Sequence, residues 1–159
     1  MGRGRGDFEA RSSVHRTERG ELTLSVAAPT VFVFDYQGFT DETFIPFIET
    51  TWERAFGSAP KRSVQVFANT AGQTGYTATF RTGMMKFSKA MVGQTNQYVL
   101  LVKSRWVAMG IAIVRSTIGL PAPHVEVTTA GGVYRKKLDA AVQASLNSRG
   151  QAPASASSG

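Results

Sequence analysis

Two kinds of apolar segment alternate along the chain, and this alternation most constrains the fold. The runs Val31 to Phe34 and Tyr98 to Val102 are apolar at consecutive positions, which is typical of strands covered on both faces. Longer segments repeat apolar residues every three or four positions, which is the helical period. Strands that alternate with helices predict an α/β domain with a mostly parallel sheet and right-handed crossovers.

Three further strands are predicted from shorter patterns. Glu21 to Ala27 alternates apolar and polar residues, as expected of a half-buried strand. A turn at Pro29 joins it to the run from Val31, so an N-terminal hairpin is expected. The other two strands are predicted at Ser63 to Ala68 and His124 to Val127.

Four segments have helical periodicity. The first follows Thr40 as a candidate N-cap, carries Asp41 and Glu42 in its first turn and ends at Gly57. Its apolar stripe is Phe44, Ile48, Trp52 and Phe56. The other helices are predicted at about 76–91, 105–118 and 132–146, and the last has the apolar side Tyr134, Leu138, Val142 and Leu146. The predicted order is therefore ββαβαβαβα.

The two ends differ in composition from this domain, which spans residues 20–146. Residues 1–19 combine arginines, acids, glycines and serines without periodicity, which predicts a disordered basic arm. Residues 147–159 are rich in Ala, Ser, Pro and Gly, which predicts a disordered tail.

Composition excludes several classes of function. The absence of cysteine among 159 residues removes disulfides, thiolate zinc sites and thiol catalysis. No apolar run is long enough to span a bilayer, and the Arg-rich start does not have the pattern of a signal peptide. We therefore expect a cytoplasmic protein.

The distribution of charge says more than the net charge of +7. Acidic residues are absent between Gly57 and Val125. The same stretch contains eight cations, namely Lys61, Arg62, Arg81, Lys86, Lys89, Lys103, Arg105 and Arg115. Such a field favours an acidic protein, a phospholipid surface or nucleic acid as a partner, although an ordinary solvated surface is the favoured interpretation of these cations. The aromatic residues fall mostly on core stripes, which disfavours nucleic acid.

No catalytic residue, cofactor site or metal site is predicted. The two histidines, His15 and His124, lack metal-ligand spacing and an acid partner. Glu49 and Glu53 share one helix face without a second carboxylate across a cleft. The segment Ala71 to Gly75 follows a strand and precedes a helix, as a phosphate cradle does. It lacks the Lys and Ser/Thr of a P-loop and the GxGxxG spacing of a dinucleotide site.

Three passages resemble the STAS-like family, the fold of bacterial anti-sigma-factor antagonists, and more closely its divergent branch described with Sec14-type lipid-binding domains. These passages are ELTLSVAAPTVFVFDYQGFTDETF, ANTAGQTGYTATF and YVLLVKSRWVAMGIAIV. The resemblance covers roughly Glu21 to Leu146. It implies a non-enzymatic domain that binds proteins or ligands.

The resemblance also implies a candidate phosphorylation site at the start of the second helix. In typical members, a Ser or Thr there is phosphorylated by a partner kinase. The matching stretch, Gln73 to Thr79, lacks the family's Asp-Ser-Ser-Gly core. Thr77 is nearest the equivalent position, with Thr74 and Thr79 close to it. Phosphate is well placed at a helix N-terminus, but a simple cap at Thr74 or Thr77 is the favoured interpretation.

The predicted helix at 105–118 is apolar on most sides, which requires burial. It could pack within the monomer, against a second copy or partner, or around a lipid. The sequence predicts a regulatory or scaffold domain that binds another protein or itself, and binding of an apolar or anionic lipid-like ligand is the alternative. The partner-binding residues expected are Thr74, Thr77, Arg81, Lys86, Trp106, Met109, Ile111 and Ile113.

Overall fold

The computed structural model describes residues 7–105, 107, 109 and 124–149. Its elements follow in chain order: β1 (Arg11–Arg16), β2 (Gly20–Ala28), β3 (Val31–Thr40), α1 (Phe44–Phe56), β4 (Val64–Tyr76), α2 (Ala78–Met91), β5 (Thr95–Leu101), β6 (His124–Thr128) and α3 (Gly131–Arg149). The helix predicted at 105–118 lies mostly outside the described residues.

The six strands form one sheet whose spatial order is the order of the chain. β1, β2 and β3 pair antiparallel, whereas β3, β4, β5 and β6 pair parallel. The predicted α/β class, the mostly parallel sheet and the N-terminal hairpin of β2 and β3 are therefore confirmed.

Helices α1 and α2 cover the same face of the sheet. Helix α1 connects β3 to β4, and α2 connects β4 to β5. Both connections step across the sheet in the same direction, so right-handed crossovers place both helices on one face. The predicted stripe of α1 is buried in this layer. Its centre is aromatic, since the ring centroid of Phe32 lies 5.0 Å from that of Phe34 and 5.5 Å from those of Trp52 and Phe56. We call this layer the aromatic core.

Helix α3 covers the opposite face over a smaller cluster that includes Phe67 and Val99. The helix buries Tyr134, Ala141 and Ser145, whereas Leu146 of the predicted stripe is exposed. The hydrogen bonds of the Ser145 hydroxyl are one reason why Ser145, and not Leu146, faces the sheet. Thr30 donates to this hydroxyl oxygen from the backbone nitrogen at 3.0 Å and from the side chain at 2.8 Å.

The predicted disordered arm is wrong for residues 11–16, which form the edge strand β1. This strand pairs with β2 in the register from Arg11 opposite Val26 to Arg16 opposite Glu21. His15 lies on the α1 face, where its ring contacts Phe44 and Phe47 at centroid distances of 4.6 and 5.5 Å. At the other end, α3 continues to Arg149, beyond the predicted start of the tail.

Strands β3 and β4 are longer than predicted, because they pair with each other as far as Thr40 opposite Tyr76. Residues 69–75, which lie between the predicted strand that ends at Ala68 and the helix predicted from about residue 76, therefore belong to β4. Thr40 is buried in β3 and does not cap α1, whose N-cap residue is Thr43.

Helices α1 and α2 approach closely at Gly83, where a Cβ atom would lie 2.8 Å from Ile45 Cγ1. We expect Gly83→Leu to lower the free energy of unfolding by about 1–3 kcal/mol, because the larger side chain forces the helices apart. Urea unfolding measures this. Gly93→Leu is the matched control, since a Cβ there meets no atom within 4 Å. Equal losses in both variants would contradict the close approach.

Candidate functional site

The candidate site is centred on Thr77, where β4 leads into α2 at the carboxyl end of the sheet. Thr77 is the N-cap of α2, and its hydroxyl oxygen accepts a hydrogen bond from the Phe80 nitrogen at 3.1 Å. Its own backbone nitrogen donates to the Thr40 carbonyl at 3.1 Å. The cap therefore also ties the start of α2 to the end of β3.

A carboxylate faces this cap. The Thr77 hydroxyl lies 3.4 Å from Glu42 Oε2. Glu42 was predicted in the first turn of α1, but it lies in the loop before that helix. A phosphate on Thr77 would gain from the helix N-terminus but would meet the negative charge of Glu42. The site therefore contains one favourable and one unfavourable electrostatic contribution to phosphorylation.

Asp41, Thr43 and His15 form a polar chain beside Glu42. Asp41 Oδ1 accepts from the Thr43 nitrogen at 2.9 Å and from the Thr43 hydroxyl at 2.5 Å. His15 Nε2 lies 3.0 Å from the same hydroxyl oxygen. The Thr43 side-chain hydrogen bond lowers the pKa of the Asp41 carboxyl. This chain joins β1 to the start of α1, and sequence reasoning missed it because residue 15 is 28 positions from Thr43.

The exposed side of α2 is cationic. Arg81, Lys86 and Lys89 are all exposed, and α2 contains no acidic residue. At 100° per residue these three positions fall within about 140° of the helix circumference. Among the described residues, none of them forms an ion pair. We call Arg81, Lys86 and Lys89 the α2 basic face.

The other predicted site residues are placed differently. Thr74 is exposed in β4 and does not belong to a helix start. The phosphate-cradle context considered for Ala71 to Gly75 is wrong, because these residues pair in the sheet. Met109 is 51% exposed, whereas Trp106, Ile111 and Ile113 lie outside the described residues. The structure thus brings together Thr77 and the α2 basic face.

Two buried polar atoms on the α3 side were not predicted. Asp35 Oδ1 and the Tyr134 hydroxyl are buried, and neither has a hydrogen-bond partner in the described part of the chain. Burial and then the Asp35 charge raise the pKa of Tyr134 well above its usual value. Tyr134 could be recognised from sequence only as an apolar-stripe residue, since its partner strand is remote in the chain.

In the described residues, no group of three His, Cys, Asp or Glu side chains is placed to hold a metal ion. Glu49 and Glu53 are exposed on α1. No helix within the described ranges is long and apolar enough to cross a membrane.

Comparisons with known proteins define the fold. No family model matches the chain, and no curated protein matches it. Among solved structures, it is similar to the crystal structure of an uncharacterized protein from the DUF3478 family with a SpoIIAA-like fold, from Shewanella loihica PV-4. The TM-score is 0.59 at 7% sequence identity, and the match covers 86% of this chain and 99% of that chain.

At this identity the likeness concerns the fold. The chain has a SpoIIAA-like fold, which is the STAS-like fold of anti-sigma-factor antagonists that the sequence predicted.

Removing the Thr77 cap should destabilise the domain. We expect Thr77→Ala to lower the free energy of unfolding by about 0.5–2 kcal/mol, because the Phe80 nitrogen loses its acceptor. Thr77→Ser keeps the acceptor and should stay within about 0.5 kcal/mol of the wild type. Urea unfolding followed by circular dichroism measures both. If the alanine variant were as stable as the serine variant, the cap would be unimportant.

Buried tyrosines should make stability fall in alkaline solution. Tyr36 is buried and Tyr98 is partly buried. Burial raises the pKa of Tyr98 to about 12 and that of Tyr36 well above its usual value. Because the folded-state pKa values exceed those of the unfolded chain, this stabilisation is complete below about pH 10. It is then lost as the pH rises toward 12. Unfolding curves at several pH values test this, and constant stability up to pH 12 would contradict it.

Proposed function

We propose that this protein is a non-enzymatic regulatory or scaffold domain of the cytoplasm that binds another protein through the α2 basic face. The observation that carries the proposal is that Arg81, Lys86 and Lys89 are exposed on a helix without acids and form no ion pair within the described part of the chain. A complementary partner would present an acidic surface. Opposite charges across an interface speed association and exclude cationic competitors.

The position of Thr77 supports a regulatory role for the same surface. Thr77 precedes Arg81 by one helical turn, and the Arg81 nitrogen donates to the Thr77 carbonyl at 3.1 Å. A phosphate on Thr77 would add negative charge next to the α2 basic face and reduce its attraction for an acidic partner. Glu42 opposes this modification, so we propose phosphorylation only with displacement of the Glu42 side chain.

Charge reversal tests the binding surface. We expect Arg81→Glu with Lys89→Glu to abolish capture of a specific protein from extracts of the source organism, because two attractions become repulsions. The bound protein should also dissociate as salt rises from about 0.05 to 0.5 M. Quantitative mass spectrometry of the captured proteins provides the measurement.

The matched control is Arg135→Glu with Lys136→Glu, which reverses two exposed cations on α3 and changes the net charge equally. This control should keep the partner. Equal loss in both double variants would show that only overall charge matters, and retention by the α2 variant would overturn the proposal.

A second candidate is binding of an apolar or anionic lipid-like ligand. It is favoured by the exposure of Val107 and Met109 in the apolar segment that follows β5. Self-association through Trp106, Ile111 and Ile113 would cover the same segment. Native mass spectrometry distinguishes these functions, because a monomer that carries lipid-sized mass supports the ligand. A discrete oligomer that Ile111→Asp dissociates supports self-association.

A further inference from the structure

The outer edge of β1 is a second interaction surface, independent of the α2 basic face. β1 is the first strand of the sheet, and no other strand of the described residues pairs with its outer side. Its six residues contain neither proline nor glycine, and Val14 is 51% exposed. An unpaired edge of this length presents backbone donors and acceptors to another strand.

The directions of these backbone groups follow from the hairpin. The Thr17 nitrogen donates to the Gly20 carbonyl, so the backbone of Thr17 points toward β2. In an antiparallel strand the direction alternates at each residue. The N–H and C=O groups of Ser12, Val14 and Arg16 therefore point outward. Their side chains lie on the α3 face, because His15 lies on the α1 face.

We propose that a second copy of this chain pairs antiparallel with β1 and joins the two sheets into one. A two-fold axis at Val14 places Val14 opposite Val14 of the second copy and Ser12 opposite Arg16. Each of the resulting pairs uses outward groups and exchanges two backbone hydrogen bonds. The two exposed valines cover each other.

Charge supports a copy of the chain as the occupant. In this register no two cations of β1 face each other, since Arg11 lies opposite Thr17 and Arg16 lies opposite Ser12. Arg16 is also paired with Glu21 of its own chain at 2.6 Å. Moving the axis to Ser13 would instead set Arg11 opposite His15 and leave Val14 opposite Ser12.

A single cysteine tests the register, because the natural chain has none. Paired Val14 positions would have Cα atoms about 5.5 Å apart, which a disulfide can bridge. Under mild oxidation at micromolar concentration we expect Val14→Cys to form a covalent dimer. The control Val133→Cys, at a valine of similar exposure on α3, should form no covalent dimer. Equal crosslinking of both variants would overturn the proposal.

Sedimentation equilibrium on the full chain without cysteine tests the assembly itself. The wild type should dimerise, and Val14→Lys should raise the dimer dissociation constant about tenfold or more, because two like charges would face each other. Val133→Lys and the α2 double variant should leave it unchanged. A monomeric wild type, or a dimer insensitive to Val14→Lys, would overturn the proposal. Failure of the α2 charge-reversal experiment would not affect it.

Discussion

The pairing of β3 on both of its sides is the interaction on which the rest of the structure depends. β3 pairs antiparallel with β2 and parallel with β4, so it is the boundary between the two parts of the sheet. Its side chains also reach both layers, since Phe32 and Phe34 enter the aromatic core and Val31 packs beneath α3. A change in the register of β3 would therefore displace both layers at once.

The length of the β3–β4 pairing also determines where the candidate site lies. Because the two strands pair as far as Thr40 and Tyr76, both following helices begin close together at one end of the sheet. This closeness produces the contact of Thr77 with Glu42. The cap, the facing carboxylate and the α2 basic face are thus consequences of one strand pair.

Sequence patterns predicted what depends on local periodicity. They identified the fold class, the α1 stripe and a threonine cap near the start of α2, because apolar spacing and capping chemistry act over a few residues. They failed for β1, whose sequence RSSVHR is polar and gains its order from pairing with β2. They also failed for residues 69–75, where glycine and polar residues suggest a loop but β3 supplies a partner. The buried polar groups of Asp35 and Tyr134 could be recognised only from the three-dimensional structure, since β3 and α3 are far apart in the chain.

The attachment of α3 to the β2–β3 turn has a consequence for the growing chain on the ribosome. The hydrogen bonds from Thr30 to Ser145 connect residues 115 positions apart. The sheet residues Phe67 and Val99, which this helix covers, are synthesised before α3. Until that helix emerges, this side of the sheet lacks its cover, so the nascent domain exposes an apolar sheet face to chaperones or to neighbouring chains. Synthesis of the last helix therefore supplies the cover for this face of the sheet.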